Sequence, residues 1–365
     1  MQMKQLRNWL NDNHYEALLL SKRNNFSWVT SGRRSHIVQS TDQGVASLLI
    51  TSDRVHLITN NMEVKRIEEE ELQHCDFEYE AHTCEWYEDE GDVIRTLIEG
   101  KRVAADSPFD SLDVVDDQIG AIRSVLSKEE QERYRILCQE TATAVEQAAR
   151  MAEPGMTEHE IASFVASEVA KFGATAQVIL VATDERVYKY RHPIPTDKVF
   201  NKHAMIVACI ERGGLVANAT RFVYVGEPSE ELLENRTRLA RIDATMIHQT
   251  RPGYVVGDIV KKGIEEYKNA GFPEDWKLLH QGGPTGYDSR EYLATTTSPA
   301  EVQVNQAFAW NPALPGIKSE DTILVKADGV ELLTKTNQWP YLDVEIEGKV
   351  YSRPDLLIKP ASNKA

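Results

Sequence analysis

The apolar positions of this chain recur with two different periods. Residues 3–13 place them on one face of a helix, residues 17–21 form an apolar run suited to a buried strand, and residues 45–51 and 55–59 read as hairpin arms either side of Ser52-Asp53. Mixed strands and helices of this kind predict a first α/β domain over residues 1–125. The polar stretch Asp106-Ser107-Pro108-Phe109-Asp110-Ser111 leads out of it. Ser127-Lys128-Glu129-Glu130 then has the form of a capping box opening a long helix, so a second domain is expected over residues 126–365. Thr157 with Glu160 repeats the capping pattern. Ile161, Phe164, Val165 and Val169 give the helix behind it an apolar stripe, and Gly173 stops it.

Within the second domain a longer pattern occurs twice. Glu153-Pro154-Gly155-Met156, followed by Glu160-Ile161, is matched at the same internal spacing by Arg251-Pro252-Gly253-Tyr254, followed by Asp258-Ile259. The strand-like run His203-Ala204-Met205-Ile206-Val207-Ala208 returns as Asn305-Gln306-Ala307-Phe308-Ala309-Trp310. Helix, turn, helix and strand therefore repeat about once per hundred residues, which predicts two related halves.

Composition narrows the possibilities. A chain of 365 residues is long for one core and comfortable for two domains. Its formal charge of -16 argues against a nucleic-acid partner, whose phosphates need a basic face, and chiefly favours solubility. No apolar run is long enough to cross a bilayer, and the opening MQMKQLRNWLNDNHYE lacks the apolar core of a secretion signal; a cytoplasmic protein with no membrane partner is expected. Cys75, Cys84, Cys138 and Cys209 show neither metal spacing nor a disulfide framework and read as free, buried thiols. The Glu68-Glu69-Glu70-Glu71 run reads as the solvated face of a helix. There is no Gly-x-Ser-x-Gly elbow, phosphate-binding loop, His-Glu-x-x-His or dinucleotide glycine pattern, which argues against nucleophilic-serine and nucleotide chemistry.

The segment over residues 306–334, QAFAWNPALPGIKSEDTILVKADGVELLT, carries the chemistry. In it Asn311-Pro312 precedes Gly316, Lys318, Glu320, Asp321 and Thr322; upstream stand Asn218-Ala219-Thr220-Arg221 and the turn His280-Gln281-Gly282-Gly283-Pro284-Thr285-Gly286. In order and spacing these resemble the motifs of the pita-bread family, which includes creatinase, prolidase, methionine aminopeptidase and aminopeptidase P. There a strand ends in Glu-Pro before Gly-x-Arg-x-Glu-Asp-Thr, two aspartates lie eleven residues apart with the second in Asp-x-Thr-Arg, and a Gly-His-Gly turn presents a ligand histidine. The resemblance covers nearly the whole chain, most strongly residues 128–334. It implies an α/β (α+β) fold: a small amino-terminal creatinase-like α/β domain, then a pseudo-twofold pita-bread catalytic domain with its site between the halves.

The same frame shows what has been replaced. The positions that hold two metal ions in the family fall on Val207, Asn218, Pro284, Asn311 and Glu320, of which only Glu320 keeps a ligand side chain. Hard cations need several carboxylate oxygens and borderline ones need imidazole or carboxylate, so a metal-free protein with no cofactor is expected.

The resemblance assigns the remaining polar residues to one cleft. His192 matches the histidine that serves as the proton-transfer group in metal-free creatinase, Glu320 is expected to orient or charge-stabilise it, and Glu291 completes the candidate acid-base set. The sequence leaves open whether the partner of Glu320 is a substrate cation, Lys318 or His192. His280, Gln281, Tyr287 and Arg290 surround a glycine-rich turn whose amides would approach a ligand closely; Arg290 or Glu291 stands where the family often has a second histidine. Asn218 and Asn311, with the turn amides, would stabilise an oxyanion. Arg191 and Arg221 are candidate cations, Arg221 having a structural salt bridge as its other role.

Asn25-Phe26-Ser27-Trp28-Val29-Thr30-Ser31-Gly32 is similar to the stretch that in creatinase-like dimers leads into a loop reaching the partner's site. By that resemblance Arg33, Arg34 and His36 would recognise an anion, and the amino-terminal domain would cap the partner's site in a homodimer. The expected function is metal-independent, creatinase-like hydrolysis of a C–N bond in a small polar, carboxylate-bearing molecule or short peptide. Two rivals stand beside it: a catalytically silent binding module, and an Xaa-Pro peptidase as the resemblance alone would suggest.

Overall fold

Amphipathic spacing at the start of the chain forms the helix Gln2–Asp12, which buries Leu6 and Leu10. In the computed structural model, which describes residues 2–361, this helix is followed by β1 (Ala17–Lys22). The hairpin turns at Ser52-Asp53 between β2 (Gln43–Thr51) and β3 (Val55–Asn60). With β4 (Glu80–Cys84), β5 (Val103–Ala105) and β6 (Asp113–Val114) they make a sheet in the order β4-β3-β2-β1-β5-β6. Strand alternation puts Leu19, Leu49 and Ile58 on one face, where Ile94 of the helix Glu90–Ile98 packs on them.

The Asn25 stretch forms a helix, Arg23–Val29, tied to this sheet by polar contacts. Asn25 is fully buried; its Nδ2 donates to Asp106 at 3.0 Å and its Oδ1 accepts from Arg123 at 2.5 Å. Asp106 also accepts from the Ser21 and Lys22 amides. Part of the acidic run is not solvated as expected: Glu71 accepts from the Arg34 amide at 2.8 Å and pairs with Arg66. Its neighbours Glu69 and Glu70 are exposed.

Contacts divide the chain into two units: the residues up to Ser127 together with Gly213–Leu215, and Lys128–Arg212 together with the residues from Val216 onward. The second opens with the helix Lys128–Met151 and contains β7 (Thr175–Thr183), β8 (His203–Arg212), β9 (Leu215–Val225), β10 (Gly282–Thr285) and β11 (Ala307–Trp310). A short pair, β12 (Ala313–Leu314) and β13 (Ile317–Lys318), leads to β14 (Asp321–Lys326) and β15 (Gly329–Leu332). The main sheet runs β10-β11-β14-β9-β8-β7, and β15 pairs with β14. A hairpin of β16 (Tyr341–Ile346) and β17 (Lys349–Pro354) precedes β18 (Leu356–Lys359), which lies parallel to β9.

The internal repeat is real in three dimensions. Gly155 and Gly253 both take positive φ, 103° and 83°, after their prolines. The Gly155 amide donates to the Phe200 carbonyl and the Gly253 amide to that of Val302; Thr157 bridges Val199 as Val255 bridges Glu301. Each turn opens a helix, Glu158–Lys171 or Val256–Asn269. The first has the full Thr157/Glu160 capping box, worth about 1 kcal/mol, whereas Val255 offers no side-chain cap. Helices Glu230–Gln249 and Val256–Asn269 bury Ile242, Met246, Ile259 and Val260 with Phe308 and Trp310 of the sheet. Among the described residues no helix is long and apolar enough to cross a membrane.

Candidate active site

Glu320 and Asp321 stand at the entrance to β14, where Thr220 donates its amide to the Glu320 carbonyl and Asp321 pairs with Trp310 and Ala219. Neighbouring residues of an extended chain point to opposite sides, and residues two apart share one. Lys318 and Glu320 therefore meet: Lys318 Nζ donates to Glu320 Oε2 at 2.7 Å. Arg290 Nη2 donates to Oε1 at 2.6 Å, and Thr220 Oγ1 to Oε2 at 2.9 Å. Burial alone would raise the pKa of this carboxyl; Lys318 and then Arg290 outweigh it and hold it at about 2. Of the partners anticipated for Glu320, Lys318 is the one present. The roles of general base and imidazole orienter do not match this geometry, because both oxygens are engaged by cations and so acidic a carboxyl accepts protons poorly.

Lys318, Glu320 and Arg290 line a cavity of about 370 Å³ together with His192, His280 and Asn311. Its apolar wall is Val178, Leu180, Val207 and Leu293. His192 lies at the mouth, exposed on one side, with its ring centroid 5.7 Å from that of His280. Partial burial and then the Lys318 ammonium lower the His192 pKa; burial and then Arg290 bring His280 down to about 4. Both imidazoles are thus neutral near pH 7. Cys209 also lines the cavity, but burial pushes its thiol up to about 12, which removes it as a nucleophile. Three buried polar atoms on the lining residues have no protein partner: Asn311 Oδ1, His280 Nδ1 and Arg290 Nε.

Other candidates lie elsewhere. Arg221 is fully buried, donating to Asp321 at 2.9 Å and Glu146 at 3.2 Å, so the structural salt bridge is its role. Glu291 accepts from the Tyr287 amide, and the Tyr287 hydroxyl donates to Glu130 at 2.7 Å. Gln281 donates to the Trp276 and Leu279 carbonyls and accepts from Tyr267. These hydrogen bonds fix the turn rather than face the cavity. Arg191 is half-buried and absent from the lining. Asn218 is fully buried; its Nδ2 donates to Thr285 Oγ1 at 3.0 Å and its Oδ1 has no protein partner.

The glycine-rich turn differs from the expected ligand cradle. A Cβ on Gly282 would meet the Ala309 carbonyl at 2.1 Å, and one on Gly283 the Tyr292 carbonyl at 2.5 Å, so glycine is required by the chain's own close packing. The Gly286 amide is spent on the Asp288 carbonyl. In the first unit, Arg33 and Arg34 are half-buried and His36 is buried, its pKa brought to about 4 by burial and by Arg23, Arg34 and Arg66. A neutral, inward-facing His36 does not suit the anion contact expected of it. Lys318 was legible only as a partner for Glu320; its i, i+2 placement was the signal that it belongs to the site itself.

The resemblance assigns five positions to metal, Val207, Asn218, Pro284, Asn311 and Glu320. Val207 is a hydrocarbon wall opposite Leu180, Pro284 is buried opposite Phe308, Asn218 and Asn311 are amides, and Glu320 is already held by two cations.

A fold of two related halves around such a cleft defines a class. Residues 132–327 match metallopeptidase family M24, and residues 2–137 match the creatinase/prolidase N-terminal domain; the chain belongs to family M24. It is 25% identical over 236 residues to the Xaa-Pro dipeptidase of Pyrococcus furiosus, which is 61% of this chain and 67% of that protein. An uncharacterized peptidase of Staphylococcus haemolyticus is 22% identical over 228 residues, 60% of this chain and 65% of the relative. Among solved structures, the prolidase of Pyrococcus horikoshii superposes with a TM-score of 0.79 at 18% identity, covering 92% of this chain and 98% of that one. The Xaa-Pro dipeptidase of Bacillus anthracis gives 0.78 at 17% identity, covering 98% and 99%. These likenesses carry the fold; the chemistry rests on the residues in the cavity.

Proposed function

We propose that the second unit is a hydrolase that cleaves a C–N bond in a small, carboxylate-bearing amide and does so without a divalent metal. The observation that carries this reading is the occupancy of Glu320 by Lys318 and Arg290. A hydrocarbon, a proline and two amides beside a carboxylate neutralised by fixed cations do not fit a divalent ion. The fixed charges lining the cavity are two cations and one carboxylate, a net positive balance that suits an anionic ligand. An amide bond offers both N–H and C=O, matching an unpaired acceptor at Asn311 Oδ1 and an unpaired donor at Arg290 Nε.

In this reading neutral His192 takes a proton from the attacking water and returns it to the leaving nitrogen. An ammonium has three protons, and Glu320 engages one from Lys318; another would stabilise the oxyanion as it forms. The second reading is the activity named for the Pyrococcus furiosus relative, Xaa-Pro dipeptidase, which family membership favours and this donor set does not.

The test is an assay of carboxylated amides and Xaa-Pro dipeptides, run after chelation and again with added manganese or cobalt. Turnover that survives chelation and falls about 10²- to 10⁴-fold in His192→Ala, with an unchanged circular dichroism spectrum, is expected. Metal-dependent Xaa-Pro cleavage would overturn the proposal. Binding of carboxylated amides without turnover would assign the cavity to a binding module.

A further inference from the structure

We propose that His56, Glu80 and His82, on the sheet of the first unit, bind one divalent transition-metal ion of the zinc class. The site follows from register. His56 of β3 is the partner of Glu80 on parallel β4, and His82 lies two residues beyond Glu80, so all three side chains share one face of the strand pair. Their ligand atoms all lie within 4.8 Å of one another. His56 Nδ1 is 3.0 Å from His82 Nε2, while the Glu80 oxygens stand 3.7 Å from His56 and 3.9 Å from His82.

Those last two separations are too long for hydrogen bonds, yet shorter than the ~4.2 Å that two metal–ligand bonds of about 2.1 Å can span. The Glu80 side chain makes no hydrogen bond among the described residues; its other ionic neighbour is Arg54, at 3.8 Å. Without an ion the two imidazoles can share a single N–H···N bond. A metal would instead take a lone pair from each and draw in the carboxylate, completing a two-histidine, one-carboxylate set with room for solvent or a fourth ligand.

The surroundings are consistent with this. His56 and His82 are partly buried, which limits the entropy lost on ligation. Arg54 and Lys101 add positive charge nearby, and the ion must displace Arg54 from Glu80. Hard, weakly coordinating cations such as magnesium are disfavoured by the two imidazoles. Once bound, the ion would tie the outermost strand β4 to β3.

This site bears on any count of metal in the protein, because one equivalent of zinc per chain would sit in the first unit and leave the cleft of the second untouched. The test is titration of the full chain, stripped with chelator, with cobalt(II) followed by visible absorption, then displacement by zinc. One equivalent with ligand-field bands of a nitrogen-and-oxygen site is expected, lost in the His56→Gln/His82→Gln double variant. Glu80→Gln, at a largely exposed position that leaves the fold undisturbed, is expected to weaken binding about 10-fold or more. Absence of such bands in the wild-type chain, or their persistence in the double variant, would overturn the proposal.

Discussion

Two adjacent carboxylates, Glu320 and Asp321, show how one turn of the chain separates chemistry from architecture. Glu320 faces the cavity, where it is held by Lys318, Arg290 and Thr220. Asp321 faces the other way: Oδ1 accepts from Arg221 at 2.9 Å and Thr334 at 2.7 Å, and Oδ2 from Arg353 at 2.7 Å. Arg221 continues to Glu146, and Arg353 to Asp243. Behind the sheet these charges are matched and far from solvent, whereas beside the cavity three polar atoms stay unpaired. A saturated network holds strands in place; an incomplete one has something left to offer a ligand.

The sharpest way to break this comparison is Asp321→Asn. It leaves Arg221 and Arg353 short of a buried counter-charge and should cost about 3–5 kcal/mol, read by denaturant unfolding. Glu320→Gln removes the same charge one residue earlier, but next to a cavity that water and anions can enter. The loss should be smaller, about 1–3 kcal/mol, and binding of small carboxylates should tighten, by calorimetry. Equal losses for the two variants would mean that the cavity is no more accessible than the core.

Acid should separate buried neutral groups from buried charged ones. His203 is buried among Phe222, Tyr224 and Tyr188 without a hydrogen-bond partner, and burial brings it to about 4 from an ordinary 6.5. A histidine whose folded pKa is lowered supports the fold fully above about pH 6.5 and withdraws that support as pH falls toward 4. Glu320, with a folded value of about 2, keeps its contribution above about pH 4.5 and loses it only toward 2. Stability should therefore begin to fall below pH 6.5, and His203→Phe should remove on the order of 2 kcal/mol of that dependence between pH 6.5 and 4. The smallest effect concerns the two halves. Thr157→Ala should cost about 1 kcal/mol, while Val255→Ala, at the equivalent but uncapped position, should leave the helix start unaffected.

Much of the fold was legible because local signals agreed with one another. The first helix, the Ser52-Asp53 hairpin, the Thr157/Glu160 box and the two Pro-Gly turns all occur where the pattern put them. The site was legible in part. His192, His280, Arg290, Asn311 and Glu320 do line one cavity, but which way each atom points depends on register, which a motif does not encode. Tyr287, Glu291 and Gln281 share the motif and serve the turn instead. The Gly282-Gly283 pair was misread for a similar reason: a close approach of the chain to itself leaves the same sequence trace as a close approach to a ligand.

The buried thiols give the second unit a built-in clock. Cys138 and Cys209 are both buried, and burial favours the protonated thiol in both, which slows their reaction in the closed structure. Their labelling by a thiol reagent is therefore rationed by how often the surrounding structure opens. Cys209 sits in the cavity wall and Cys138 in the helix Lys128–Met151, so the two labelling rates would compare the breathing of the pocket with that of its scaffold.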